Sequence, residues 1–104
     1  MILPNEYGHA AGAPAPGPKF APGQVVATPA ALAAVQPDEI RLALDHHFAG
    51  DWGTVSAEDA AANNLALRTG ERIISAWRDT GGTKFWIITE ADRSATTVLL
   101  PSDY

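Results

Sequence analysis

The chain has 104 residues, seven of them basic and twelve acidic, giving a net charge of −5, and it contains no cysteine. That length is one domain's worth, and the missing thiols exclude a disulfide framework, a thiolate metal site and a cysteine nucleophile. The acidic balance runs against the basic surface by which nucleic-acid binders release counterions from phosphates.

Much of the 46% hydrophobic fraction is alanine. The bulky core formers are the valines, isoleucines and leucines from Val25 onward, with Phe48, Trp52, Trp77, Phe85 and Trp86. No apolar run approaches the roughly 20 residues that span a bilayer. Met1-Ile2-Leu3 is followed at once by Pro4, Asn5 and Glu6, which does not read as a signal peptide. The expectation is a cytoplasmic protein without a membrane partner.

Residues 1–19 are rich in proline, glycine and alanine and lack periodicity, so a flexible tail is predicted there and a single domain over 20–104. Gln24-Val25-Val26-Ala27 reads as a short strand. Thr28-Pro29 reads as an N-cap with proline at the first helical position, opening a short helix over 30–35. Pro37-Asp38-Glu39 opens a second helix, whose Ile40, Leu44 and Phe48 form an apolar stripe flanked by Ala43 and His47. Gly50 is its expected stop.

Ser56-Ala57-Glu58-Asp59 starts a third helix in a loose capping-box pattern. Ala61, Leu65 and Arg68 are its expected packing face, and Gly70 ends it. Two strands then follow, over 72–78 and 84–90, joined by Asp79-Thr80-Gly81-Gly82-Thr83, a hairpin turn with two glycines that can take positive φ. Ile73, Ser75 and Trp77 alternate against Ile74 and Ala76, and Phe85, Ile87 and Thr89 against Trp86 and Ile88. A third strand, 96–100, completes an antiparallel meander, with Val25-Val26 a candidate fourth strand at an edge. The fold class is α+β: a three- or four-stranded antiparallel sheet on two or three short helices. Strand 96–100 is also a candidate for pairing across a dimer.

The densest polar cluster is Asp45-His46-His47, with Asp51 nearby. Adjacent helical histidines lie about 100° apart, which argues against a shared metal, so no metal and no cofactor is assigned. Trp52 is a candidate surface anchor or a core plug. Glu90, Asp92 and Arg93 form a charged turn in which Asp92 and Ser94 are expected to cap backbone groups. Trp77, Phe85 and Trp86, with Arg72, Arg78 and Lys84, could imitate a base-stacking sheet, but the acidic balance makes core packing the preferred account. Phosphate-binding and nucleophile-elbow motifs are absent.

Phe20 to Pro29 and the run Trp86-Ile-Ile-Thr-Glu-Ala-Asp-Arg-Ser-Ala-Thr-Thr-Val-Leu-Leu-Pro101, together with Gly50 to Gly53 and Asn64 to Gly70, resemble a family of short, uncharacterised proteins carried on bacterial plasmids, integrative elements and phages. The resemblance implies no catalytic residues. It implies a non-enzymatic module that binds a host protein or protein complex, as an inhibitor of CRISPR or restriction machinery would. Trp52, Glu90, Asp92, Arg93 and Asp103 are the candidate partner-binding residues. The alternatives are a small metal-dependent or acid–base enzyme using His46, His47, Asp51 or Glu58, and a plasmid-borne regulator linked to nucleic acid.

Overall fold

A computed structural model describes residues 17–104. It contains β1 (Gln24–Ala27), α1 (Pro29–Ala34), α2 (Pro37–Phe48), α3 (Ala57–Thr69), β2 (Ile73–Arg78), β3 (Lys84–Thr89), β4 (Ala95–Leu99) and a closing 3-10 turn, Pro101–Asp103. Most of the expected 1–19 tail lies outside the described residues; within it, Lys19 N–H already donates to Phe48 O.

The α+β class holds, with a four-stranded sheet of order β1-β4-β3-β2. The sheet is mixed rather than wholly antiparallel, because β1 runs parallel to β4. Parallel neighbours need a crossover, and here it is the whole helical layer plus the β2–β3 hairpin. β4 therefore sits inside the sheet, hydrogen-bonded to β1 and β3. Both of its edges are occupied, which removes the 96–100 strand as a dimer edge.

The helix ends follow their cap chemistry. Thr28 Oγ1 accepts from Ala31 N, and Ser56 Oγ accepts from Asp59 N. Each satisfies an N–H that the first helical turn leaves without an intrahelical acceptor. In the β2–β3 turn only Gly82 has positive φ. One left-handed residue suffices there because Asp79 closes the turn, its Oδ1 accepting from Thr83 N at 2.7 Å. Gly23 is required on other grounds: a Cβ would strike the backbone of Arg93 and Ser94.

All three helices pack on one face of the sheet. Ala31, Val35, Ile40 and Ala43 of the helical layer meet Phe85, Ile87 and Val98. Each buried large side chain there contributes about 1.5–3 kcal/mol. Trp52 and Ala66 meet Ile73 in a second cluster. No described helix is long and apolar enough to cross a membrane.

α3 is rotated from expectation. Asn63 and Ala66 are its buried residues, whereas Leu65 is exposed. The reason is the job this helix does at the edge of β2. Asn63 Nδ2 donates to Ile74 O at 2.7 Å and Ile74 N donates to Asn63 Oδ1 at 3.2 Å. The side-chain amide thus stands where a neighbouring strand's peptide would. Trp52 O and Thr54 N occupy Ala76 N and O in the same way. Unpaired strand edges invite intermolecular pairing, and this edge is closed. Asn63→Ala is expected to lower stability by about 2 kcal/mol through two orphaned backbone groups, and to raise concentration-dependent association. Urea unfolding and light scattering would check both effects, and unchanged stability would refute the edge role.

Candidate functional site

The Asp45-His46-His47 cluster is split by the helix. His47 turns inward and is fully buried, while His46 turns outward and its Nδ1 lies 3.1 Å from Asp51 Oδ2. Around the His47 ring stand Phe20, Phe48 and Trp52, all edge-on, with centroids 5.4, 5.5 and 5.7 Å away.

His47 is the middle of a buried polar chain crossing the sheet. Trp77 Nε1 donates to Ser75 Oγ at 2.7 Å, and Ser75 Oγ lies 2.6 Å from His47 Nδ1. His47 Nε2 lies 2.9 Å from Thr89 Oγ1, which lies 2.8 Å from Thr96 Oγ1. Thr96 Oγ1 donates to Pro22 O at 2.7 Å.

The proton order follows by counting, since each hydroxyl donates once. Pro22 O only accepts, so Thr96 donates to it and accepts from Thr89. Thr89 therefore accepts from His47, which carries its proton on Nε2. Ser75 then donates to the bare Nδ1 and accepts from Trp77. Every member is satisfied only with His47 neutral. Burial accordingly pushes the His47 pKa down to about 4. The chain ties α2 to β2, β3, β4 and the segment before β1. Ser75 and His47 are both sealed from solvent.

A small cleft of about 160 Å³ opens between α2 and the β2–β3 turn, with Leu42, Ala43, Trp77 and Phe85 as its apolar floor. Pockets for drug-sized ligands run to about 300–1,000 Å³. One wall is already engaged: Glu39 accepts from Thr80 N at 2.8 Å and from Thr80 Oγ1 at 3.0 Å. Among the described residues no three His, Asp or Glu side chains converge as a metal site would require. Of the residues considered for acid–base work, only His46 and Asp51 meet; Glu58 is exposed in the first turn of α3.

Each of the residues expected to face a partner also has a contact inside the fold, and Asp92 and Asp103 are exposed. Trp52 is 5% exposed and donates Nε1–H to Asn64 Oδ1, so it offers no ring face. The Arg93 guanidinium donates to Glu71 O, Glu90 O and Ala66 O and lies over the Phe20 ring. Asp92 Oδ1 accepts from Ser94 N, and hydrogen bonds from Ser94 hold its pKa below the usual carboxylate value. Asp103 Oδ2 accepts from Thr28 Oγ1 and Leu100 N, which lowers its pKa too. Glu90 lies 3.9 Å from Arg72. Glu90, Asp92 and Arg93 share one turn, while Asp103 is tied to the cap of α1.

Among the described residues, no α-helix packs on the other face of the sheet. Strand alternation and register place Ile74, Ala76 and Arg78 of β2 there, beside Lys84, Trp86 and Ile88 of β3 and Thr97 and Leu99 of β4. Tyr104 lies on this face: its ring is edge-on to Trp86 at 5.7 Å, and its hydroxyl accepts from Arg72 Nη2 at 2.9 Å. The Arg72 guanidinium also sits 5.4 Å from the Tyr104 centroid. Between these two anchors lies Ile88, 3% exposed, while Tyr104 itself is 68% exposed. Leu99 on this face is 6% exposed and Trp86 is half-buried, so what reaches solvent is the Tyr104 ring, part of the Trp86 ring and the cations at both ends.

Charge is sorted with it. α2 and α3 carry Asp38, Glu39, Asp45, Glu58 and Asp59 against Arg41 and Arg68. The open face carries Arg72, Arg78 and Lys84 against Glu90. Of the aromatics grouped as core, Trp77 and Phe85 face the helices and Trp86 does not.

No family model, curated protein or solved structure matches the chain. In the run that carries the resemblance, 86–101, Thr89 and Thr96 belong to the buried chain, Arg93 to a carbonyl clamp, Asp92 and Ser94 to a turn, and Trp86 to the open face. Trp86, Arg72, Arg78 and Lys84 are grouped in the sequence, but with Trp77 and Phe85 and as core; Tyr104 is not foreseen beside them. Their signal was the alternation that sets Trp86 against Phe85, together with basic residues at 72, 78 and 84.

Proposed function

We propose that the chain is a non-enzymatic binding module that seats a protein partner on the open face of its sheet. The observation that carries this reading is the sheet face without a described α-helix, bearing Trp86 and Tyr104 with cationic ends, in a fold whose His47 is sealed from solvent. Tryptophan and tyrosine are the residue types that most often anchor interfaces, because they bury large area with few rotors to fix. The mobile-element resemblance makes a CRISPR or restriction complex the first partner to test.

A photocrosslinking amino acid placed at Trp86 in a bacterium carrying such a complex is expected to trap one of its subunits. The same group at Arg41, on the outer surface of α2, is expected to trap none. Trp86→Ala should weaken the purified interaction at least about tenfold. Equal trapping from both positions would sink the open-face reading, and inhibition of the complex that survives Trp86→Ala would place its surface elsewhere.

A further inference from the structure

The open face has a direction along its strands. At one end Arg72 is engaged by Glu90 and by the Tyr104 ring and hydroxyl. At the other end Arg78 and Lys84 are cross-strand partners in register. Both are exposed; Arg78, at the strand end, also borders the cleft beside α2 that Glu39 lines, but among the described residues neither cation has an acidic side chain within ion-pair distance. The nearest acid in sequence, Asp79, is turned into the hairpin, where its Oδ1 accepts from Thr83 N.

Two like charges directly opposite each other on neighbouring strands repel and destabilise the pair. The fold keeps that repulsion beside an aromatic seat, where an arriving anion would relieve it. Next along the strands come Ala76 and Trp86, again partners in register, with Leu99 opposite Trp86 on β4. The cationic row and the apolar row are two residues apart, about 7 Å.

We infer that the partner segment seated on this face is acidic and carries an apolar or aromatic anchor, with its carboxylates on Arg78 and Lys84 and its anchor against Trp86. This rests on the reading of the open face as the partner surface. For an extended segment the spacing sets the acid two positions from the anchor. Two unpaired cations match two carboxylates. They do not match a nucleic-acid strand, which draws its affinity from many phosphate contacts and would meet a chain of net charge −5.

The test is a random-peptide display selection against the immobilised full chain, followed by fluorescence anisotropy on the enriched peptides. Enrichment of Asp or Glu two positions from Trp, Phe or Leu is expected, with binding that weakens as salt rises. The Arg78→Glu/Lys84→Glu double variant should bind these peptides at least about tenfold more weakly, and Trp86→Ala likewise, while Arg41→Glu should leave binding unchanged. A single Arg78→Glu variant, which turns the like-charge pair into an ion pair, should melt no lower than the parent, so loss of binding there is not loss of fold.

Peptides without acidic residues that still require Trp86 would overturn the acidic class and leave the open face standing as the surface. Enriched peptides indifferent to Trp86, or no enrichment at all, would overturn the inference together with its footing. Tighter binding of single-stranded oligothymidylate or oligouridylate than of any peptide, lost in the double variant, would overturn it in favour of a nucleic-acid partner.

Discussion

Lowering the pH from about 6.5 to about 4 is expected to cost the folded chain about 3 kcal/mol through one residue, His47. Its folded-state pKa is depressed to about 4 from an ordinary 6.5. Between those values the unfolded chain binds a proton that the folded chain refuses. Stability therefore rises with pH in that window. It is fully present above about 6.5, falls as the solution is acidified, and levels off for this group below about 4. Asp92 and Asp103, whose pKa values are lowered from a carboxylate's ordinary value, lose their contributions only in more acid solution.

Urea unfolding followed by tryptophan fluorescence across the window gives the slope. His47→Gln should flatten it. His47→Ala should lower stability by about 4 kcal/mol at neutral pH, by opening a cavity and orphaning Ser75 and Thr89. For a domain whose whole stability is about 5–15 kcal/mol, that approaches loss of the fold. A slope that persists in His47→Gln would mean the acid sensitivity lies elsewhere.

The legible parts of the fold were those fixed by local chemistry. Thr28-Pro29 and Ser56 through Asp59 announce their helices, because a hydroxyl acceptor before a helix satisfies a specific N–H. The alternation in 73–77 and 85–89 announces the two sides of the hairpin, because side chains on a strand change face at every residue. Three things were not legible. The parallel partnership of β1 with β4 depends on where a crossover of more than half the domain returns, and no local pattern records that. The packing face of α3 was read from apolar spacing, but the helix was placed by a polar need, the bare edge of β2, which Asn63 meets. The open face shows the same limit. Its residues alternate correctly in sequence, but that all three helices take the opposite side is a tertiary fact.

Arg93 supports the second large expectation. It stands at φ 60°, a left-handed conformation uncommon for a side chain larger than glycine. Its guanidinium joins three separate parts of the chain. Nη2 donates to Ala66 O near the end of α3 at 3.0 Å, and Nη1 donates to Glu71 O before β2 at 2.7 Å and to Glu90 O after β3 at 3.1 Å. A cation at the carbonyl end of a helix also meets a favourable dipole. Hydrogen bonds to a charged group contribute about 1.5–3 kcal/mol each when buried, and this side chain is half-buried. Arg93→Ala is therefore expected to lower stability by about 3 kcal/mol. Arg93→Gly should cost about 1 kcal/mol less, since glycine adopts the left-handed backbone freely. Arg93→Lys should recover less than half, because an ammonium is a point charge and cannot fork between carbonyls on different segments. Denaturant unfolding of the three variants separates the contributions. Full recovery by lysine would assign the effect to charge alone. A loss below about 1 kcal/mol in Arg93→Ala would show that the turn is held by its own hydrogen bonds, Arg93 N to Glu90 O and Ser94 N to Asp92 Oδ1, without the guanidinium.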